Sequence, residues 1–285
     1  MNAHLMTNLD KAQAVECSRR IADLLHRHGC GVTVIAAEQQ HLQLDYATVC
    51  ETRDLCLAQS DVMIAVGGDG TIMHAAKHSI AYDRLILGVN AGHLGFLAQA
   101  EPDRLPALME RLLSGDYTEE KRIVLCASIE GGSRKTVGYA LNDAVVSRDF
   151  GCGLIELSLS CNGKYLDSFR ADGVIFATPT GSTAYSMSAG GPIVDPTVDA
   201  ILMTPVCPHK LTARPLIFSA SKELSVCSTR PGQDRICLSL DGGAPVLLEE
   251  NERVTICKAP RAARFINFGE QEFFEVFSEK IVQKR

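Results

Sequence analysis

Apolar positions at Val15, Ile21, Ala22 and Leu25, with Ser18 in step, repeat at helical spacing, and Gly29 and Gly31 stop the run. Residues 32–36 form a short β-branched stretch, and residues 62–66 and 85–89 are unbroken apolar runs of strand length. Such runs suit strands buried on both faces of a parallel sheet. Residues 71–77, between the last two, are helical in character, so the order is strand, loop, helix, strand: an α/β layer. Residues 3–7 hold only scattered apolar positions and make a weak first strand. Residues 102–114 predict another helix, with Leu105, Leu108, Met109 and Leu112 on one face and Gly115 after it. Beyond Gly115 the texture changes. Short strand candidates follow at 123–129, 137–146, 154–161, 165–169, 174–177, 216–218, 236–240 and 254–257. Turn signals at Gly131-Gly132, Asn162-Gly163 and Asp241-Gly242-Gly243 separate several of them, and Asn-Gly between alternating runs marks a hairpin. Helices are expected near 182–189 and 196–202. A terminal helix would carry Phe273, Phe274, Val276, Phe277 and Ile281 on one face.

With 285 residues, 46% of them hydrophobic, the chain can bury one large core or two ordinary ones. Its net charge of -6 argues against broad attraction to nucleic acid or anionic lipid. A polyanionic ligand would have to be held locally, by backbone N–H groups, metal ions or a few bases. Eleven cysteines without a C-x-x-C pair read as reduced, buried thiols of a cytoplasmic protein. The eight histidines lack H-E-x-x-H spacing, which argues against a zinc site. The N-terminus has no signal-peptide run, and no apolar stretch is long enough to span a bilayer.

The sharpest local signal is Val66-Gly67-Gly68-Asp69-Gly70-Thr71, after an apolar strand and before a helix. Glycine lets a backbone approach a ligand closely, and a helix N-terminus offers unpaired N–H groups and a positive dipole end to phosphate. A carboxylate there would repel phosphate, so Asp69 needs another purpose: binding a metal or accepting a proton from an attacking hydroxyl. The same residues also make a tight turn with Asp69 or Thr71 as helix N-cap. The loop matches neither G-x-x-x-x-G-K-[ST] nor G-x-G-x-x-G, so it has no Walker lysine. His74, one turn into the helix, can reach the loop or face solvent. A second loop, residues 90–96, follows the next strand. In a parallel sheet both loops lie at the carboxyl edge, where such sheets bind ligands. Phe96 there could stack on a base or sit in the core. Asn142-Asp143 interrupts the apolar run 137–146, and an amide beside a carboxylate suits the two hydroxyls of a ribose. A strand end or bulge is the other reading. Arg170-Ala171-Asp172-Gly173 leads to a tract of small hydroxyl residues and glycine, residues 178–192, a poor core and a good close-approach surface for sugar or phosphate.

In this order, VGGDGT, NAGHLGFL, ALNDAV, FRADG and TPTGSTAYSMSAGGPIVDP resemble the signature blocks of the NAD kinase family, from about Asp61 to Pro215. GGDGT alone is shared with lipid kinases and phosphofructokinases; TPTGSTAY together with the Asn-acid pair is far more specific. The resemblance implies an α/β N-terminal nucleotide-binding domain (1–115), a β-sandwich-like all-β NAD-binding domain (116–269) and a C-terminal segment (270–285) returning to the first. It implies transfer of a phosphoryl group from ATP to the 2′-hydroxyl of the adenosine ribose of NAD, with Asp69 as the proton acceptor. Gly67, Gly68, Gly70, Thr71, His74 and Phe96 would serve the nucleotide. Asn142, Asp143, Arg170, Asp172, Thr183, Ala184, Tyr185, Ser186, Met187 and Ser188 would line the NAD site. Mg²⁺ would accompany ATP, and the protein would be a homodimer or homotetramer. Two departures stand out. Asp143 replaces the family's usual Glu and is one methylene shorter. Asp241-Gly242-Gly243 offers little side chain for a contact that some relatives make there. The competing readings are a lipid kinase of the diacylglycerol type, against which the polarity of residues 178–188 argues, and a non-catalytic NAD sensor, against which Asp69 argues.

Overall fold

The computed structural model describes residues 1–91, 95–98, 100, 102–132, 136–270 and 272–282. Gly92, His93 and Leu94 of the second loop lie outside them. The chain divides into two compact units, one of residues 1–121 and 263–285, the other of residues 122–262.

In the first unit, β1 (Asn2–Thr7), α1 (Ala12–Arg27), β2 (Gly31–Ile35), α2 (Ala36–Leu42), β3 (Thr48–Cys50), α3 (Arg53–Ala58), β4 (Val62–Gly67), α4 (Asp69–Tyr82), β5 (Leu85–Asn90), α5 (Leu105–Ser114) and β6 (Thr118–Arg122) follow in order. The last part of the chain adds a strand, β19 (Ala263–Asn267). They form one seven-stranded sheet, ordered β3-β2-β1-β4-β5-β19-β6. The β1–β2, β1–β4, β2–β3, β4–β5 and β5–β19 pairs are parallel. The weak first strand thus lies at the centre of the sheet. Its Ala3 and Leu5 join Ile64, Val66, Leu87 and Val89 in a core against Ile21 and Leu25 of α1 and Leu105 and Leu108 of α5. Helix α5 is preceded by a 3₁₀ turn, Pro102–Arg104, and ends on Gly115 in the left-handed region, φ 76°. Strand order reverses between β1 and β4. In open α/β sheets the crevice at such a reversal, beyond the carboxyl ends of the strands, is where ligands bind. The glycine loop sits there: the Asn8 N–H after β1 donates to Val66 O at 2.9 Å, and Gly67 and Asn90 are register partners at the ends of β4 and β5.

The second unit is all antiparallel: β7 (Leu125–Glu130), β8 (Thr136–Ala140), β9 (Asp143–Arg148), β10 (Ile155–Cys161), β11 (Lys164–Ala171), β12 (Gly173–Ala177), β13 (Ala200–Val206), β14 (Leu216–Ser219), β15 (Leu224–Ser228), β16 (Ile236–Leu240), β17 (Val246–Leu247) and β18 (Arg253–Lys258), with one short helix, α6 (Tyr185–Ser188). Two six-stranded sheets, β11-β10-β15-β18-β7-β8 and β14-β13-β12-β9-β16-β17, share one core. Leu125, Leu157 and Ile256 of the first meet Val146, Phe176 and Met203 of the second, the interleaving of a β-sandwich. Asn162-Gly163 turns the hairpin β10–β11, both residues at positive φ.

Two expectations about elements are corrected. The helix expected near 196–202 is absent: residues 196–199 are turn, and residues 200–202 open strand β13, whose Ala200–Pro205 are all buried between β12 and β14. An apolar run of that length has no period to separate the two states. The run 137–146 is two strands in different sheets, β8 and β9, so Asn142 stands at the crossing and not within a strand.

Candidate functional site

Helix α4 starts at Asp69 with Gly68 as N-cap in extended backbone and no side-chain cap. Thr71 N–H donates to Gly68 O at 3.0 Å, which leaves the N–H groups of Asp69 and Gly70 at the helix start to face an anion. Gly67 is required by packing, because a Cβ would stand 2.8 Å from Thr71 Cβ. Gly68 and Gly70 are different. Neither has positive φ, and a Cβ on either would meet open space. Among the described residues nothing demands glycine at these two positions, while close approach of a ligand to the backbone would.

Asp69 is not a capping residue. Its Oδ2 accepts from the Phe96 N–H and its Oδ1 from the Leu97 N–H, both at 3.1 Å. Lys280 Nζ lies 3.0 Å from Oδ2. The two amides come from the loop after β5, which the parallel register sets beside the glycine loop. Gly95 makes that grip possible, since a Cβ there would stand 3.0 Å from Asp69 Cγ and closer to Oδ1. The electrostatic awkwardness of a carboxylate in an anion-friendly loop is thus met by two N–H dipoles and an ammonium. Lys280 escaped the sequence reading; a lone lysine in the last amphipathic turn carries no local signal. Phe96 packs against Phe273, with ring centroids 6.0 Å apart, and beneath Lys280 Nζ at 4.3 Å. His74 is exposed and sets its ring edge-on to His78, centroids 4.9 Å apart. Partial desolvation of its ring, and then the nearby Arg53 charge, lower its pKa.

In the second unit the predicted polar residues fall at both ends of the β9–β12 ladder, where Ala177 pairs with Asp143 and Gly173 with Ser147. At one end, Thr178 Oγ1 donates to Leu141 O at 2.6 Å and accepts from Gly181 N at 3.0 Å. Gly181 lies on the Asn142 backbone so closely that a Cβ would stand 2.7 Å from Asn142 Cα. Asp241 ties this corner together. Its carboxylate accepts from the N–H groups of Leu141, Asn142 and Asp143 at 2.9, 2.7 and 3.0 Å. Its own N–H donates to Asp143 O at 2.9 Å, and its φ is 47°. The aspartate after Leu240 therefore holds the Asn-Asp pair in place from behind, a role the sequence did not suggest. Asp143 is buried and Asn142 half-buried.

The hydroxyl-rich tract spends much of its polarity on itself. Ser182 Oγ bridges Val194 O and N, at 3.2 and 3.1 Å, and the buried Ser186 bonds Thr204 at 3.0 Å. Thr183, Ala184 and Met187 are half-buried, and Tyr185 and Ser188 are exposed. At the other end of the ladder Asp172 receives Arg148 Nε at 2.6 Å, and Arg170 is exposed on β11. A cleft of about 380 Å³ brings Tyr185 and Asp172 together over Val145 and Ser147 of β9. It lies at the Asp172 end of the β9–β12 ladder, where the Arg148–Asp172 pair and Tyr185 offer polar groups to a ligand.

The family models of the ATP-NAD kinase N-terminal and C-terminal domains match residues 4–117 and 141–268. An NAD kinase of Symbiobacterium thermophilum is 37% identical over 97% of each chain. One of Desulforamulus reducens is 40% identical over 81% of this chain and 80% of its own. Among solved structures, yeast NADH kinase complexed with NADH superposes with a TM-score of 0.89 at 25% identity, covering 100% of this chain and 88% of that one. An NAD kinase from Archaeoglobus fulgidus in complex with ATP shares the fold, with a TM-score of 0.75 at 24% identity over 98% of both.

Proposed function

The chain belongs to the NAD kinase family and phosphorylates NAD to NADP with ATP, and we propose that its two units divide that work as follows. The first unit receives the triphosphate on the loop Gly67, Gly68, Gly70 and Thr71 and supplies the base, Asp69. The second binds NAD through Asn142, Asp143, Asp172 and the surface from Thr183 to Ser188. The 2′-hydroxyl of the adenosine ribose gives its proton to Asp69, and its oxygen forms the new bond to the γ-phosphorus. The bond from that phosphorus to the β,γ-bridging oxygen breaks, and ADP leaves with the electron pair. The observation that carries this reading is the fixed Asp69 carboxylate, gripped by two backbone amides at the start of a helix that has no side-chain cap. Positioning and charge stabilisation supply most of the acceleration in such transfers.

A divalent cation, Mg²⁺, is proposed to enter with the nucleotide. Among the described residues no three His, Cys, Asp or Glu side chains cluster as a metal site. The donors at the loop are N–H groups and an ammonium, which fit phosphate oxygens and not a resident cation. The ion would shield phosphate charge when bound. The exposed side chains of Phe150, Tyr165 and Leu211 on the second unit support the further proposal of a homodimer or homotetramer.

The test is a coupled assay of NAD plus ATP that follows NADP. Asn142→Ala should raise KM for NAD with less effect on ATP, by the roughly 1–3 kcal/mol of a lost buried hydrogen bond. Absence of NADP from the wild-type protein would refute the assignment.

A further inference from the structure

Phosphoryl transfer places several negative charges on one loop, and this loop has no lysine of its own. The cation the structure brings to it comes from the far end of the sequence. Lys280 lies in the single turn Ser278–Val282 that follows α7 (Phe273–Phe277), 211 residues from Asp69. Its placement rests on more than one contact. Phe273 packs on Phe96, and the Lys280 ammonium rides above the Phe96 ring at 4.3 Å. Phe96 is also the residue whose backbone N–H grips Asp69. The ion pair is half-sheltered, with side-chain exposures of 24% for Lys280 and 28% for Asp69, so a ligand at the loop can reach both.

As it stands the pair opposes the proposed role of Asp69. A carboxylate offers about four acceptor directions. Phe96 N–H and Lys280 take two on Oδ2, and Leu97 N–H takes one on Oδ1. A hydroxyl would find about one, on a carboxylate whose charge an ammonium already balances. A triphosphate changes the competition, because it presents several anionic oxygens to a flexible four-carbon stem with three rotatable donors. Phe96 gives the stem a fixed apolar surface on which to swing. We propose that Lys280 is a catalytic residue that rests on Asp69 in the free enzyme and transfers its ammonium to the γ-phosphoryl oxygens when ATP binds. The base is thereby uncovered only when the donor is present, and the C-terminal segment replaces the lysine that other phosphate loops carry within the loop itself. This deepens the reading of Asp69 as the base and rests on it.

The test compares Lys280→Met, Lys280→Arg and Lys280→Ala in the full chain. Methionine keeps a stem over Phe96 and removes the charge. Its kcat should fall about 100-fold, as loss of one transition-state donor does elsewhere, with KM for NAD within about threefold and Tm within a few degrees. Arginine should restore kcat to within about tenfold of wild type. Added ethylammonium should raise kcat of Lys280→Ala several-fold, while the same concentration of tetramethylammonium, which has no N–H, should not. Three results would overturn the proposal: Lys280→Met keeping more than about a third of kcat, Lys280→Met exceeding wild type, which would make the contact only an inhibitory latch, or no amine rescue in Lys280→Ala. Asp69→Asn, run in parallel, separates the two levels. If it is inactive while Lys280→Met is fully active, the base assignment stands and the lysine proposal alone fails.

Discussion

Replacing Asp69 by Asn should abolish most turnover and also loosen the loop, and the structure says how much of each. The carboxylate is an acceptor for two converging backbone N–H groups, at 3.1 Å each. An amide of the same shape has one acceptor oxygen. Whichever way it is turned, its NH₂ confronts either Phe96 N–H or Leu97 N–H, leaving that donor unpaired. An unsatisfied, largely buried donor costs about 1–3 kcal/mol. The Lys280 pair is partly exposed and adds about 1 kcal/mol or less. Tm should therefore drop by roughly 3–10 °C. The chemical loss is separate and larger: general-base catalysis contributes about 10²–10⁴-fold, so kcat should fall by at least 100-fold. The assay is steady-state kcat at saturating NAD and ATP across a Mg²⁺ titration, at a temperature where circular dichroism shows the variant folded, with NAD affinity from calorimetry. Retention of more than about a tenth of wild-type kcat would refute the general base. Partial rescue by excess Mg²⁺ would move Asp69 from proton acceptor to metal ligand.

Gly95→Ala keeps the Asp69 charge but pushes a methyl group against its carboxylate; kcat should fall at least tenfold with KM for NAD little changed, and unchanged kcat would show that the carboxylate position is not critical. Asp241→Ala releases three backbone N–H groups beneath the Asn142-Asp143 corner, so KM for NAD should rise at least tenfold while KM for ATP moves less; equal changes in both would mark a general folding defect. His4 is fully buried, bonds Thr33 O at 3.0 Å and Arg53 at 2.9 Å, and burial lowers its pKa to about 4. The unfolded chain binds this proton and the folded one does not, so stability is complete above pH 6.5 and falls as pH drops towards 4, by about 3 kcal/mol. Denaturant titrations from pH 7 to 4.5 should show a shallower acid loss in His4→Gln than in wild type; parallel losses would clear His4 of the effect. Light scattering at micromolar concentration should show a dimer or tetramer, and a fully active monomer would refute the proposed assembly.

The sequence by itself determined what is local and periodic. The unbroken runs at β4 and β5, set among glycine loops and a helical stretch, read as buried parallel strands, and Asn162-Gly163 as a hairpin turn. The glycine loop was legible because a strand, two glycines and a helix start are contiguous, so its backbone chemistry is written within a few residues. The order of the motif blocks named the family for the same reason. What the sequence left open depends on partners distant along the chain. Residues 2–7 look weak, yet β1 is central, because neighbours on both edges and both faces bury it whatever its own propensity. Residues 196–202 read as helix, and pairing with β12 and β14 made the last three of them the start of a strand. Asp69 could have been a cap, a ligand or a base until the loop after β5 supplied two amides and the C-terminus an ammonium. Asp241 lay in an apparently featureless turn until its carboxylate met three N–H groups 98 to 100 residues away. Propensity and period act through neighbours in the chain. A site is made by groups that only folding brings within hydrogen-bonding range, and no local pattern encodes which those will be.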